Sequence, residues 1–267
     1  MQTLTRVYRG PHVESFHTGS IAVVDSRGRL LAFAGDPALP TSLRSSAKPF
    51  QAIPLLEYGG IEEFELSGEE IALTCASHGG EPLHVSTAAA MLRKGEFDET
   101  DLLCGAHPPY DDKAAAELRA SGEEPSPLHN NCSGKHAGML LATRVMDVPS
   151  SRYIDPDHPI QVLMHSTLAE FAGILSDEIP MAIAPAMAAT LTERLRLADD
   201  AAVGIALKVN DGSMTRGRDP VILKTLELLG VDVAGVPELQ RYRQWPLRNV
   251  AGTLVGDVRA EFELEVL

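Results

Sequence analysis

The chain has 267 residues, of which 44% are hydrophobic and 22% charged, the balance of a globular protein able to bury a sizeable core. Its formal net charge of −14 argues against nucleic acid or an anionic membrane surface as partner, because both select a basic footprint. Three cysteines, Cys75, Cys104 and Cys132, are too few and too odd in number for a disulfide framework. The residues from Met1 to Arg6 lack the apolar core of a secretory signal, and no apolar run is long enough to span a membrane. The expected compartment is the cytoplasm.

Residues 4–34 read as strands. The loose alternation from Val13 to Val24 ends in the turn signal Asp25-Ser26-Arg27-Gly28-Arg29, and Leu30 to Phe33 returns as the second arm of a hairpin. After Gly35 to Pro40 comes Arg44-Ser45-Ser46-Ala47-Lys48-Pro49-Phe50-Gln51. A hydroxyl three residues before an amine shares one face of a helical turn, so Ser45 and Lys48 form a candidate nucleophile and base. A lysine can serve as the base only if burial disfavours its ammonium form. Ser45 or Ser46 is placed to cap the helix, and Pro54 is expected to bend it or end it near Ile53.

Ser67-Gly68-Glu69-Glu70 is a capping box, and Ala76-Ser77-His78-Gly79-Gly80 interrupts the helix it opens. Helices are expected over about 82–94 and 111–120. The stretch Leu128 to Gly138 packs amides, a thiol, an amine and two imidazoles just ahead of an apolar helix from Met139 to Met146, a density beyond ordinary capping. Another helix opens at Asp157-His158-Pro159. Further on, the pattern predicts a helix over 187–197, a strand over 203–209 ending in the turn Asn210-Asp211-Gly212, and a helix over 220–229. Two short terminal strands are expected, split at Gly256-Asp257. Strands at both ends with helices between them give an α+β fold. One domain over 1–267 is expected, helical over about 45–200, with a sheet from about 1–34 and 202–267. His17, His84, His107, His158 and His165 read as structural or exposed, and Cys75 as a core residue.

Several segments together resemble the L-asparaginase II family of Rhizobium type. They are Val13 to Gly19, Arg44 to Gln51, Ala76-Ser77-His78, Cys104-Gly105-Ala106-His107-Pro108-Pro109, Asn130 to Gly138, His158-Pro159-Ile160-Gln161 and Ala206 to Gly212. They follow the family's order along nearly the whole chain, and Asn130 to Gly138 is the most specific. The resemblance implies a fold like that of serine β-lactamases and glutaminases, a homodimer, and hydrolysis of L-asparagine to L-aspartate and ammonia. It implies Ser45, Lys48 and Ser77 as catalytic residues, and Cys132 and Lys135 as zinc ligands. Arg44, Asn131 and His136 are implied as substrate contacts.

Two family features have no counterpart. A Lys-x-Gly-Ala-Glu-Gly-like segment, whose lysine serves the second serine, is missing where Leu195 to Asp200 runs into Ala201 to Lys208. Ser77 therefore has no evident lysine in the sequence, and Lys208 is a weak substitute. The family's third zinc ligand, a cysteine ahead of an Ala-Pro pair, is replaced by Pro180-Met181-Ala182-Ile183 before Ala184-Pro185. A site with two ligands is expected to hold zinc weakly. Three functions remain open at this point: an asparagine amidohydrolase, a glutaminase or other amide hydrolase, and a family member with little activity that binds an amino acid or a partner.

Overall fold

Both ends of the chain supply strands. The structure is a computed structural model that describes residues 2–39, 43–173, 193–197, 201–209, 214–236, 245–248 and 253–267. The chain groups into two compact units, one of residues 1–41 with 190–267 and one of 42–189.

The first unit holds the sheet. Strand β1 (Gln2–Arg9) turns at Gly10 into the long β2 (His12–Asp25), and β3 (Leu30–Ala34) folds back on the end of β2 through the Asp25 to Arg29 turn. In that turn the Asp25 carboxylate accepts from the amides of Arg27 and Arg29. The C-terminal half adds β4 (Glu193–Leu197), β5 (Ala201–Val209), β6 (Trp245–Arg248), β7 (Leu254–Ala260) and the short β8 (Glu265–Val266). The order is β4-β5-β2-β1-β7-β6, with β3 beside β2 and β8 beside β3, and every neighbouring pair is antiparallel. Leu4, Ile21, Val23 and Ala32 meet Val221, Leu223 and Leu226 of a helix from the same unit (Met214–Leu228), which is numbered α8 in chain order.

Two expectations fail in this unit. The helix expected over 187–197 is a strand where it is described: Glu193-Arg194-Leu195-Arg196-Leu197 alternates with period two and pairs with β5. The break expected at Gly256-Asp257 lies inside β7, where these residues pair with Arg9 and Tyr8. Pairing with β1 satisfies the backbone there, which a local turn signal does not reveal. The turn at Asn210 to Gly212 and the segment 180–185 lie outside the described residues.

The second unit is helical. Its elements are α1 (Lys48–Glu57), α2 (Gly60–Glu63), α3 (Gly68–Thr74), α4 (Pro82–Lys94), α5 (Asp112–Ser121), α6 (Ser133–Val145) and α7 (Pro159–Ala172). The capping box forms as read: Ser67 Oγ accepts from the Glu70 amide and the Glu70 carboxylate accepts from the Ser67 amide. The centre of the unit is α6, buried from Ser133 to Thr143 at every position except Lys135. Such a helix has no solvent face, so its apolar residues pack all round, against Leu55, Leu73, Met91, Leu92, Ile160 and Met164 among others. It also starts six residues earlier than the apolar run suggested, which places Lys135 and His136 on its first turn.

Two local expectations change in α1. The helix continues through Pro54 to Glu57. Burial of Ala52, Pro54 and Leu55 in the core offsets the one backbone bond that proline removes. Neither Ser45 nor Ser46 caps it. A 3-10 turn over Arg44–Ala47 leads directly into the helix, and Ser46 Oγ instead donates to the Leu43 carbonyl. Among the described residues no helix is long and apolar enough to cross a membrane.

Candidate active site

Lys48 is the first residue of α1 and is buried, with 2% of its surface exposed. Its Nζ lies 2.8 Å from the Ala76 carbonyl, 3.1 Å from the Asn131 carbonyl and 2.8 Å from Ser77 Oγ. Burial lowers the pKa of the amine below its ordinary 10.5, against an opposing pull from the Cys132 thiol. Ser77, for which the sequence offered no lysine, thus has one in Lys48. Ser77 is exposed, while its amine partner is sealed in. Ser45 is half-buried in the turn before Lys48 and is not among the groups that Nζ meets, which are the Ala76 and Asn131 carbonyls, Ser77 Oγ and the Cys132 sulfur. Arg44 is exposed and takes φ +47, the left-handed region.

The loop carrying Ser77 is fixed by its neighbour. His78 Nδ1 accepts from the Gly80 amide at 3.2 Å, which leaves the ring proton on Nε2. That N–H donates to Ser133 Oγ at 2.9 Å, and the Ser133 hydroxyl donates to the Leu128 carbonyl at 3.0 Å. The His78 backbone amide also donates to the Asn131 carbonyl. Burial, reinforced by His84 and Lys48, lowers the His78 pKa to about 4, so the ring is neutral. Gly80, at φ +83, is needed here: a Cβ would lie 2.9 Å from the His129 carbonyl oxygen.

The segment Asn130 to His136 closes the site from the other side. Asn130 is a staple: its Nδ2 donates to the carbonyls of Cys104 and Gly105, and its Oδ1 accepts from the Cys132 amide. Asn131 is braced by His107, whose Nε2 accepts from the Asn131 amide at 3.2 Å and whose ring stacks on Tyr110. Lys135 is half-buried, and burial lowers its pKa against the pull of Cys132 and Cys104. His136 is buried, with Nδ1 2.7 Å from the Tyr153 hydroxyl. Burial and the two amines Lys135 and Lys48 lower its pKa to about 3. The site therefore brings together Lys48, Ser77, Asn131, Cys132, Lys135 and His136. Sequence reasoning passed over His78 and Tyr153, and read His107 as structural or exposed, in keeping with its bracing of Asn131. His78 and His107 sat inside the family segments, but nothing in the sequence singled out Tyr153.

The donors for a metal are incomplete among the described residues. Cys132 offers a soft sulfur and Lys135 an amine nitrogen three residues on, donors suited to zinc in kind. Burial holds Cys104 as a thiol, its pKa pushed up to about 11, and Cys104 Sγ donates to the Pro127 carbonyl. No three His, Cys, Asp or Glu side chains gather as a metal site among the described residues. Two donors fall short of the three or four that protein zinc sites use.

A comparison with curated proteins finds no match. The sequence model of the L-asparaginase II family matches in two segments, residues 5–199 and 184–260. The two matched segments overlap at 184–199. Since the match runs from the first strand through β7, the chain belongs to the L-asparaginase II family.

Proposed function

We propose that the protein is an amidohydrolase that releases ammonia from L-asparagine through a serine and a neutral lysine. One observation carries the mechanism: buried Lys48 Nζ bridges two carbonyls and the exposed Ser77 hydroxyl. A neutral amine has two hydrogens and one lone pair. In its neutral form the amine donates to the carbonyls of Ala76 and Asn131 and can take up the proton of the Ser77 hydroxyl beside it. Ser77 Oγ then attacks the side-chain amide carbon as its proton passes to Lys48. Lys48 returns the proton to the departing nitrogen, ammonia leaves, and water, deprotonated by the same amine, hydrolyses the ester. Family membership supports the amide substrate class.

Ser45 is the second hydroxyl of this reading, carried by its spacing from Lys48, and Arg44, Asn131 and His136 are its substrate contacts. Zinc, where bound, sits on Cys132 and Lys135 and is held weakly by two donors. The homodimer and the cytoplasmic setting belong to the same reading.

The test is ammonia release from L-asparagine and L-glutamine. Ser77→Ala and Lys48→Met are expected to lower it by at least about a hundredfold, the usual weight of a general base, while Ser45→Ala keeps a tenth or more. An asparagine analogue carrying a diazoketone in place of its amide identifies the nucleophile by mass spectrometry of the adduct. Label on Ser45 would exchange the roles of the two serines. A wild-type protein that binds asparagine but releases no ammonia would end the hydrolase reading.

A further inference from the structure

Tyr153 lies between α6 and α7 and is fully buried. Its hydroxyl has two neighbours. The Leu103 backbone N–H, 2.8 Å away, can only donate, so the phenol oxygen accepts there. The hydroxyl's own hydrogen needs an acceptor, because a buried O–H left without one loses its hydrogen bond to water and gains none in return. His136 Nδ1, at 2.7 Å, is the acceptor the structure provides. The two rings meet edge to face, with centroids 5.6 Å apart and planes at 72°. Burial raises the Tyr153 pKa, so the phenol keeps its hydrogen.

The consequence falls on His136. A neutral imidazole carries one ring proton, and with Nδ1 accepting, that proton sits on Nε2. Nε2 meets no hydrogen-bond partner among the described residues, and it is not among their sealed, unpartnered polar atoms. The ring sits on the first turn of α6, within the field of Lys48 and Lys135. It therefore offers the site a donor with no protein acceptor.

We infer that Tyr153 is a positioning residue that locks His136 as the Nε2–H tautomer, making His136 a hydrogen-bond donor to an acceptor oxygen of the substrate. The substrate part rests on the amidohydrolase reading; the tautomer part does not. A ring with the proton on Nδ1 would present a lone pair at Nε2 and repel the same oxygen.

The test begins with the unliganded wild-type protein labelled with 15N-histidine. Two-bond proton–nitrogen spectra at pH 7 are expected to show His136 with Nε2 protonated and Nδ1 bare. A proton on Nδ1 would overturn the proposal, and this measurement stands whether or not the protein turns over asparagine. In Tyr153→Phe the pattern is expected to become mixed or reversed, and an unchanged tautomer would remove Tyr153 from its role. For catalysis, Tyr153→Phe is expected to raise KM for L-asparagine about tenfold, one hydrogen bond's worth, with kcat within about threefold. His136→Gln, which can place an amide N–H near the Nε2 position, is expected to retain more affinity than His136→Asn. Equal losses in these two variants, together with an unchanged KM in Tyr153→Phe, would reduce the tyrosine to a packing residue. Should the wild type release no ammonia, addition of L-aspartate is expected to shift the Nε2–H resonance, and a resonance that does not move would refute the donor role.

Discussion

Arg44 holds a left-handed backbone at φ +47, immediately before Ser45. A side chain with a Cβ occupies that region at a cost of about 1–3 kcal/mol. The residue is exposed, and its guanidinium has no ion pair among the described residues. Stability therefore does not explain the choice of arginine here; the proposed role as a carboxylate contact would, because a guanidinium offers a planar fork of donors. Arg44→Gly separates the two. It relieves the strain, so the unfolding free energy is expected to hold or rise by about 1 kcal/mol while KM for L-asparagine increases. A variant that melts lower yet keeps its KM would assign Arg44 to the fold instead.

At the scale of elements, the site depends on how closely α6 approaches α3. Gly134 and Gly138 lie one turn apart on α6, and a Cβ at Gly134 would come within 2.5 Å of Leu73 Cγ and 2.6 Å of the Leu73 carbonyl oxygen. Leu73 sits in the last turn of α3, and the chain runs from there directly to Ala76 and Ser77, the groups that hold Lys48. A methyl group at Gly134 pushes against backbone, which cannot rotate away. Gly134→Ala is expected to cost about 1–3 kcal/mol from overpacking, more than the roughly 1 kcal/mol that alanine returns in helix propensity. The same change should lower activity by moving Ser77 away from Lys48. Equilibrium urea unfolding would show it; a midpoint at or above that of the wild type would mean that the two helices separate freely.

For the molecule as a whole, acid is the revealing variable. His78 and His136 are buried as neutral rings, with pKa values of about 4 and about 3 against an ordinary 6.5. The unfolded chain takes up these two protons first as pH falls. Their contribution to stability is complete above pH 6.5 and is lost as pH drops from 6.5 toward 4, by about 1.4 kcal/mol per pH unit for each ring. Most carboxylates titrate below this window, so between pH 6.5 and 5 the histidines dominate the slope. Urea midpoints at pH 7, 6 and 5 are expected to fall steadily, and His78→Gln to flatten the fall by about half. A midpoint independent of pH over that range would contradict neutral burial of both rings.

Periodicity and turn chemistry were enough to mark the hairpin of β2 and β3, the capping box before α3 and the extent of α4. Each of these is decided by neighbours a few residues apart. The motif residues around Ser45, Ser77 and Asn130 to His136 also stood out in the chain as polar groups where a plain helix or strand needs none. The contacts within the site lay beyond such reading. Lys48 meets Ser77 across 29 positions and Asn131 across 83, and the hydroxyl that faces its amine is not the one on its own turn. The fate of Pro54 and of Gly256-Asp257 was decided in the same way, by burial in one case and by pairing with β1 in the other. Local pattern specifies which face an element presents, whereas a hydrogen bond or a buried amine of lowered pKa depends on what other elements bring to that face.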